Sequence, residues 1–150
     1  MPQKETLKRA QKDKRERKSP STQAGEFIRE EIDHVREGKH GARSAKQAIA
    51  IGLSKARRAG VKLPPPKKGK VSDRTRKQAS RDTAKGSSRS KQAPSRKRSR
   101  ATSSALKREG RAAASHSALS RQARASAQGR GTANRSQAAR KAARTRSRQA

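Results

Sequence analysis

The sequence has no cysteine, tryptophan or tyrosine, and Phe27 is its only aromatic residue. Without cysteine the chain has no disulfide, no thiolate metal site and no cysteine nucleophile. Its apolar runs are far shorter than the roughly 20 residues that a transmembrane helix needs, and its first residues lack the apolar core of a signal peptide. We therefore expect a cytoplasmic protein whose structure and activity rest on other residue types.

Acidic and apolar residues are also scarce. Eleven Asp and Glu stand against 43 Lys and Arg, which gives a formal net charge of +32, and 27% of the residues are hydrophobic. A chain of this composition buries too little apolar surface to offset the entropy lost when all its residues become ordered. We therefore expect a mostly disordered chain with one small all-α element.

The excess of positive charge indicates the chemical class of the partner. A sequence pI near 12 is typical of proteins that bind polyanions. DNA, RNA, anionic lipid and polyphosphate all belong to this class. Among them we expect nucleic acid, DNA more than RNA, and we expect no small-molecule substrate.

Helix signals are concentrated in residues 23–60, where we predict a helical hairpin. The first helix is expected to begin near Gln23, after a serine or threonine cap. Ile28, Ile32 and Val35 then form a stripe with the i, i+4, i+7 spacing of one helix face. Five of the eleven acids fall between residues 26 and 37, so this helix is the acidic one.

The second predicted helix, from about Ala45 to Ala59, is alanine-rich and basic. Ser44 is a suitable N-cap, with a glutamine three residues later as in a capping box. Gly60 stands where a left-handed residue often ends a helix, and the prolines at 64–66 prevent its continuation. An acidic helix followed by a basic one favours antiparallel packing. The hairpin is also a candidate surface for self-association.

Composition divides the chain into four segments. We expect a basic N-terminal arm at 1–20, the hairpin at 21–63, a Pro/Lys linker at 64–72, and a disordered tail rich in Arg, Lys, Ser and Ala at 73–150. Val61 and Leu63 are expected to fold back onto the hairpin. Alanine-rich pieces of the tail favour transient helices that become stable on a phosphate surface.

Nucleic-acid binding by such a chain rests on phosphate contacts that release counterions, and a flexible tail does not hold side chains against base edges. We therefore predict non-specific binding, with transient helices in the tail bringing arginines to the backbone. The predicted phosphate-binding residues are Lys55, Arg57 and Arg58; Lys67, Lys68 and Lys70; Arg96, Lys97, Arg98 and Arg100; and Arg140, Lys141, Arg144, Arg146 and Arg148.

Catalytic and metal sites are not predicted. The serines have no base beside them in the sequence, and there is no glycine-rich phosphate loop. Glu30, His34 and Glu37 share a helix face and are ligand types that hold zinc, but a histidine on an acidic helix is common. We therefore expect no enzyme, no metal and no cofactor.

Several phrases resemble a group of short, basic, uncharacterised proteobacterial proteins with a domain of unknown function. They are STQAGEF at 21–27, EGKHG at 37–41, KQAIAIGLS at 46–54 and VKLPPP at 61–66. The resemblance implies a bacterial cytosolic protein and carries no activity. The tail resembles, in composition, the tails of linker histones and bacterial histone-like proteins.

Together these observations predict a nucleoid-associated or histone-like protein in the cytoplasm that binds nucleic acid through its basic tail. The alternative is a protein-interaction or dimerisation module, in which the hairpin docks and the tail associates with RNA or ribosomes. In both alternatives the basic tail contacts a polyanion. They differ in whether the tail or the hairpin is the main binding element.

Overall fold

The computed structural model describes residues 2–88 and 95–147. Over these residues the chain forms seven α-helices, one 3-10 turn and no β-strand beyond an isolated bridge between Lys68 and Val71. It divides into two compact units, Met1–Ala114 and Ser115–Ala150. The helices are α1 (Lys4–Arg15), α2 (Pro20–Arg36), α3 (Ala45–Arg58), α4 (Asp73–Ser87), α5 (Arg96–Lys107), α6 (His116–Gln128) and α7 (Gly131–Ser147), and the 3-10 turn is Ala112–Ala114.

The expectation of a mostly disordered chain with a single hairpin at 23–60 is wrong, because helices occupy most of the described residues on both sides of that hairpin. The physical reason is the kind of residue that is buried. Ala24, Ala48 and Ala56 are fully buried, so small side chains let the helices pack closely without bulky apolar groups. Alanine is also the residue that favours helix most. A count of large hydrophobic residues underestimates such a core.

α2, the first helix of the predicted hairpin, begins earlier in the chain than the predicted start near Gln23. Ser19 Oγ accepts a hydrogen bond from the Thr22 amide at 3.3 Å, and Pro20 occupies the first helical position. Proline suits that position because its missing N–H has no intrahelical partner there and its φ is already helical. The segment expected to be a solvated arm forms α1, which packs on α2 and buries Thr6 and Ala10.

α3 begins and ends where its local signals predict. The Ser44 hydroxyl accepts from the Gln47 amide at 3.2 Å, and the Gln47 side chain accepts from the Arg43 amide at 2.7 Å. Gly60 follows the helix with φ +91°, the left-handed conformation that glycine adopts without strain. These caps satisfy backbone groups that a helix end leaves without partners.

α2 and α3 pack antiparallel, and they approach closely in the middle. A Cβ on Gly52 of α3 would lie 2.7 Å from the Ile28 Cα of α2, so only glycine fits at this crossing. Two apolar clusters lie on either side of it. One holds Ala10, Ala24, Phe27, Ala56 and Val61, with Leu63 packed against it. Val61 and Leu63 therefore fold back as predicted. The other holds Val35, Ala42, Ala48, Ala113 and Ala114.

Residues 73–114, expected to belong to a disordered tail, complete the first unit. α4 packs on α3 through Asp82, which is 1% exposed and accepts hydrogen bonds from Ser54 Oγ at 2.6 Å and Arg58 Nε at 2.7 Å. Farther along, the 3-10 turn contributes Ala113 and Ala114 to the second cluster. Arg36 Nε donates to the Ala114 carbonyl at 3.0 Å and fixes this contact.

The second unit contains α6 and α7, which pack on each other. Ser115 caps α6 by accepting from the Ala118 amide at 3.2 Å. Every residue of α7 is exposed, so this helix presents its whole length of about 25 Å. The expectation of a disordered tail with only transient helices is therefore also wrong for this unit, where α6 and α7 are regular helices. Across the described residues, no helix has the length and apolar character to span a membrane.

Candidate functional site

Every acidic side chain of the protein is paired. Each of the eleven acids has a carboxylate oxygen 2.5–3.9 Å from a lysine or arginine nitrogen. Because the chain has 43 Lys and Arg, most of the cations within residues 2–88 and 95–147 have no acidic partner. The surplus charge therefore lies on groups that depend on solvent ions or on another molecule for neutralisation.

Unpaired cations are concentrated in the described residues from 95 to 147. Within that stretch no lysine or arginine pairs with an acid, and its single acid, Glu109, pairs with Arg43 at 3.3 Å. α5 begins with Arg96, Lys97 and Arg98 in its first turn, all exposed. Its N-cap, Ser95, makes no side-chain hydrogen bond. Cations at the positive end of a helix dipole repel each other and the dipole, so this end of the helix favours an anion.

α7 is the longest exposed cationic surface of the second unit. It carries no acid, and the segment 115–150 contains none either. Arg140 and Arg144 are one helical turn apart and therefore lie on one face. Arginine guanidinium groups bind phosphate oxygens in pairs of parallel hydrogen bonds. The exposed cations of this helix are Arg135, Arg140, Lys141, Arg144 and Arg146.

Three predicted phosphate-binding residues are occupied by contacts within the protein. Lys55 Nζ lies 2.5 Å from Glu31 Oε2. Arg57 is 8% exposed and donates weakly to the Pro64 carbonyl at 3.5 Å, and burial lowers the pKa of its guanidinium. Arg58 pairs with Asp82 at 2.7 Å. These side chains stabilise the α2–α3–α4 packing, so the exposed cationic set does not include Lys55 or Arg57.

The other predicted positions are exposed wherever the structure describes them. Lys67, Lys68 and Lys70 lie in the loop between α3 and α4. The remaining ones lie on α5 and α7, apart from Arg148, which falls outside the described residues. The described exposed positions are Lys67, Lys68, Lys70, Arg96, Lys97, Arg98, Arg100, Arg140, Lys141, Arg144 and Arg146.

A second constellation lies between α2, α3 and the turn that joins them. Glu30 and Glu31 are 3% and 0% exposed. Glu30 accepts from the Gln3 amide at 3.2 Å, and Lys55 Nζ lies 3.7 Å from it. Burying two adjacent carboxylates is expensive unless each is compensated, and Lys55 is the lysine that faces both. The first residues before α1 are thus attached to the same pair of carboxylates as α3.

Two histidines complete this constellation. His40 Nε2 lies 2.9 Å from Glu31 Oε1, and its Nδ1 lies 3.0 Å from the Gly41 carbonyl oxygen. His34 Nε2 lies 2.9 Å from the Gln3 side-chain nitrogen. Burial, reinforced by Lys55 and Lys39, lowers the pKa of His34 below its ordinary value. The two rings stand edge to face with their centroids 6.1 Å apart.

The ligand-type residues that meet in the structure differ from those that share a helix face in the sequence pattern, Glu30, His34 and Glu37. Glu37, expected beside Glu30 and His34, is exposed and pairs with Lys39 at 2.7 Å. Glu31 and His40 take part instead. The i, i+3 spacing of Glu31 and His34 could have indicated a shared face. His40 could not have been placed from sequence, since its position depends on how the turn 38–43 folds back on α2.

An open cleft of about 720 Å³ leads to His40. The turn at 37–41 forms one wall, and residues 107 and 109–111 form the other. Backbone hydrogen bonds join the two walls, from the Gly41 amide to the Leu106 carbonyl at 2.9 Å and from the Ala42 amide to the Gly110 carbonyl at 3.0 Å. The cleft therefore gives solvent and small ions access to this ring.

Comparison with known proteins finds a match for one part of the chain. Residues 7–68 match a family of unknown function (DUF6496). The match covers most of α1, all of α2 and α3, and much of the loop that follows, and it ends before α4. No curated protein and no solved structure matches the chain. The expected resemblance to an uncharacterised family is confirmed at this level: residues 7–68 are similar to a domain of unknown function.

Proposed function

We propose that the protein binds nucleic acid without sequence specificity, through contacts of its exposed cationic helices with the phosphate backbone. The observation that carries this proposal is the complete pairing of the eleven acids, which leaves the cations of residues 95–147 without protein partners. Cations on a helix stand at fixed distances from one another. A nucleic-acid backbone, whose phosphates are also regularly spaced, can therefore neutralise several of these cations at once.

The length of α7 supports a duplex as the partner. A 17-residue helix is about 25 Å long, and duplex DNA carries one phosphate charge per roughly 1.7 Å of its axis. The helix therefore lies within reach of more phosphates than it has cations. Its arginines bind whichever phosphates are near, which gives affinity without base reading.

The first turn of α5 supports the same partner independently. Arg96, Lys97 and Arg98 repel one another at the positive end of the helix dipole. A phosphate group there removes the repulsion and accepts hydrogen bonds from amides that the helix leaves free. Binding to an anion therefore stabilises this helix end.

The cellular setting proposed with this function is the bacterial nucleoid. Support comes from the phrases at 37–41 and 46–54, which resemble those of proteobacterial proteins. A non-specific binder with this charge associates with DNA wherever the duplex is accessible.

A salt titration of the full chain with a random duplex of about 25 base pairs tests the proposal. The logarithm of the association constant should fall linearly with the logarithm of salt concentration, by about 0.9 for each phosphate neutralised. Replacing the five α7 cations by glutamine should reduce this slope by about 4.5. A flat salt response, or tighter binding to anionic lipid vesicles than to the duplex, contradicts the proposal.

A matched control removes the same net charge elsewhere. Glutamine replaces Lys8, Lys12, Lys39, Arg43 and Arg76, each of which already pairs with an acid. A cation that is already paired with an acid attracts phosphate more weakly than an unpaired one. This variant should therefore change the slope of the salt titration by less than half as much as the α7 variant does. Equal changes in the two variants would mean that net charge, rather than the α7 surface, governs binding.

A further inference from the structure

The described residues contain one group of three side chains with the composition and spacing of a metal site. One ligand atom each from Glu31, His34 and His40 lies within 4.8 Å of the others. The side chains are 1%, 13% and 16% exposed, so all three are largely removed from water. Two of them lie on α2 at i and i+3, and the third lies on the turn that leads to α3.

The hydrogen bonding of His40 leaves one of its nitrogens facing another acceptor. The Gly41 carbonyl oxygen accepts only, so Nδ1 of His40 carries the proton that it donates. In the neutral ring, Nε2 then presents a lone pair to Glu31 Oε1, which lies 2.9 Å away and also accepts. Two acceptors at this distance require a cation or a proton between them. Backbone bonding at Nδ1 is also the arrangement that orients metal-binding histidines.

The local charge favours a cation. Glu30 and Glu31 bring two negative charges, and Lys55 brings one positive charge. His34 adds none in its neutral form. Its Nε2 lies 2.9 Å from the Gln3 side-chain nitrogen, so a metal that binds this nitrogen displaces the Gln3 amide. With both imidazoles in the neutral form that binds a metal, the two carboxylates and Lys55 leave one negative charge, which a cation neutralises.

We propose that Glu31, His34 and His40 bind a single divalent transition-metal ion, and that zinc suits the site best. Two imidazoles and one carboxylate are a three-ligand set that zinc takes in tetrahedral sites, where a water molecule fills the fourth position. Ligand atoms about 2.1 Å from such an ion stand about 3.4 Å apart, so small side-chain rotations from the present positions close the site.

Lys55 and the metal ion use different oxygens of Glu31. Lys55 Nζ faces Oε2, whereas Oε1 faces His40. The ion therefore binds on the His40 side of the carboxylate while the ammonium group stays on the other. Entry is through the open cleft whose wall His40 forms. The bound ion holds α2 to the turn 38–43, which makes it a structural crosslink.

Zinc binding to the full-length, untagged chain tests this site without nucleic acid. Competition with a chromophoric chelator should give one tight zinc per chain, and cobalt should give the intense visible absorption of a tetrahedral complex. His34→Gln and His40→Gln should each weaken zinc binding at least about ten-fold. His116→Gln is the matched control, because His116 is exposed on α6 in the other unit. Equal zinc affinity in wild type and the two site variants overturns the proposal, as does equal weakening in the control.

Lys55→Met separates a metal site from a purely ionic cluster. In a metal site, removal of the competing ammonium leaves zinc affinity equal or higher, and zinc raises the midpoint of thermal unfolding of the variant. If the cluster is ionic only, the variant is less stable and zinc does not restore it. Because these readouts involve no nucleic acid, they are independent of the outcome of the salt titration.

Discussion

The two units of this protein use the same residue types in opposite ways. Met1–Ala114 contains all eleven acids and pairs each of them, several within its packed interior. Ser115–Ala150 contains no acid, and in it α7 is exposed over its whole length. The first unit uses its charges to join helices. The second presents its charges to solvent.

This difference shows what an acid contributes in a strongly basic chain. Asp82 is surrounded by Ser54, Arg58 and Gln78, and it joins α3 to α4 where a large apolar residue would stand in an ordinary core. Each buried acid also neutralises a cation that would otherwise repel its neighbours. Where acids are absent, as in α7, nothing in the sequence draws the helix into a core.

The largest effect is expected from Phe27→Ala, which removes the one aromatic side chain from the first unit. Phe27 is 1% exposed, and loss of a buried phenyl group costs about 3–5 kcal/mol of unfolding free energy. Hydrogen exchange should show lost protection in α1–α3. Leu119→Ala, at a half-buried position of α6, should cost about 1 kcal/mol or less. Equal losses would mean that the second unit has a comparable core.

A smaller loss, about 2 kcal/mol, is expected from Asp82→Asn. The change removes the charge that holds the Arg58 guanidinium and the Ser54 hydroxyl, and hydrogen bonds to charged groups contribute about 1.5–3 kcal/mol. Urea unfolding measures the change. Asp73→Asn is the control on the same helix, since its side chain is 68% exposed and surface pairs contribute about 0–1 kcal/mol. A loss at Asp73 as large as at Asp82 would contradict a special role for the buried acid.

Two glycine substitutions should have opposite signs. Gly52→Ala forces its Cβ against Ile28 and should cost about 1–2 kcal/mol by overpacking. Gly25→Ala lies in α2 with nothing within 4 Å of the new Cβ, and it should stabilise by about 0.5–1 kcal/mol because alanine favours helix. Thermal unfolding of the two variants provides the measurement. A stabilising Gly52→Ala would show that α2 and α3 do not approach as closely as described.

The smallest effect on stability is expected from Arg140→Glu in α7. It replaces a repulsive pair with Arg144 by an attractive i, i+4 pair and should stabilise the helix by about 0.3–0.5 kcal/mol. The same change should weaken duplex binding. Amide exchange over residues 131–147 and anisotropy with a labelled duplex measure the two effects. Stronger duplex binding by this variant would remove α7 from the proposed interface.

The sequence predicted those parts of the fold whose causes are local. Ser44 and Gly60 act at the ends of one helix, and α3 forms at Ala45–Arg58 as they indicate. The Ile28–Ile32–Val35 stripe predicted the buried face of α2 only in part, because Ile28 and Ile32 are half-buried whereas Phe27, Glu30 and Glu31 are buried. α2 begins at Pro20, three residues before the predicted start near Gln23, because Ser19 and Pro20 cap and begin the helix instead of belonging to the arm at 1–20. Cap and breaker residues look alike in sequence, since the same serine-proline pair suits both.

The parts that were not predictable depend on distant partners. Asp82 stands among lysines, arginines and serines, and its contacts with Ser54 and Arg58 reach back 28 and 24 residues. Likewise, His40 meets Glu31 because of how the turn folds. In the candidate site, exposure of the α5 and α7 cations followed from composition, but the use of Lys55 and Arg57 within the core did not.

The hydrogen bond from Arg36 to the Ala114 carbonyl has a consequence for synthesis of the chain. The α2–α3 pair lacks one wall of its second cluster until Ala113 and Ala114 have left the ribosome. At about 5–20 residues per second, the roughly 56 residues after Arg58 take on the order of 3–11 s to be added. During that interval the nascent helices expose Val35 and Ala48 beside a polyanionic ribosome, so the order of translation sets when this core closes.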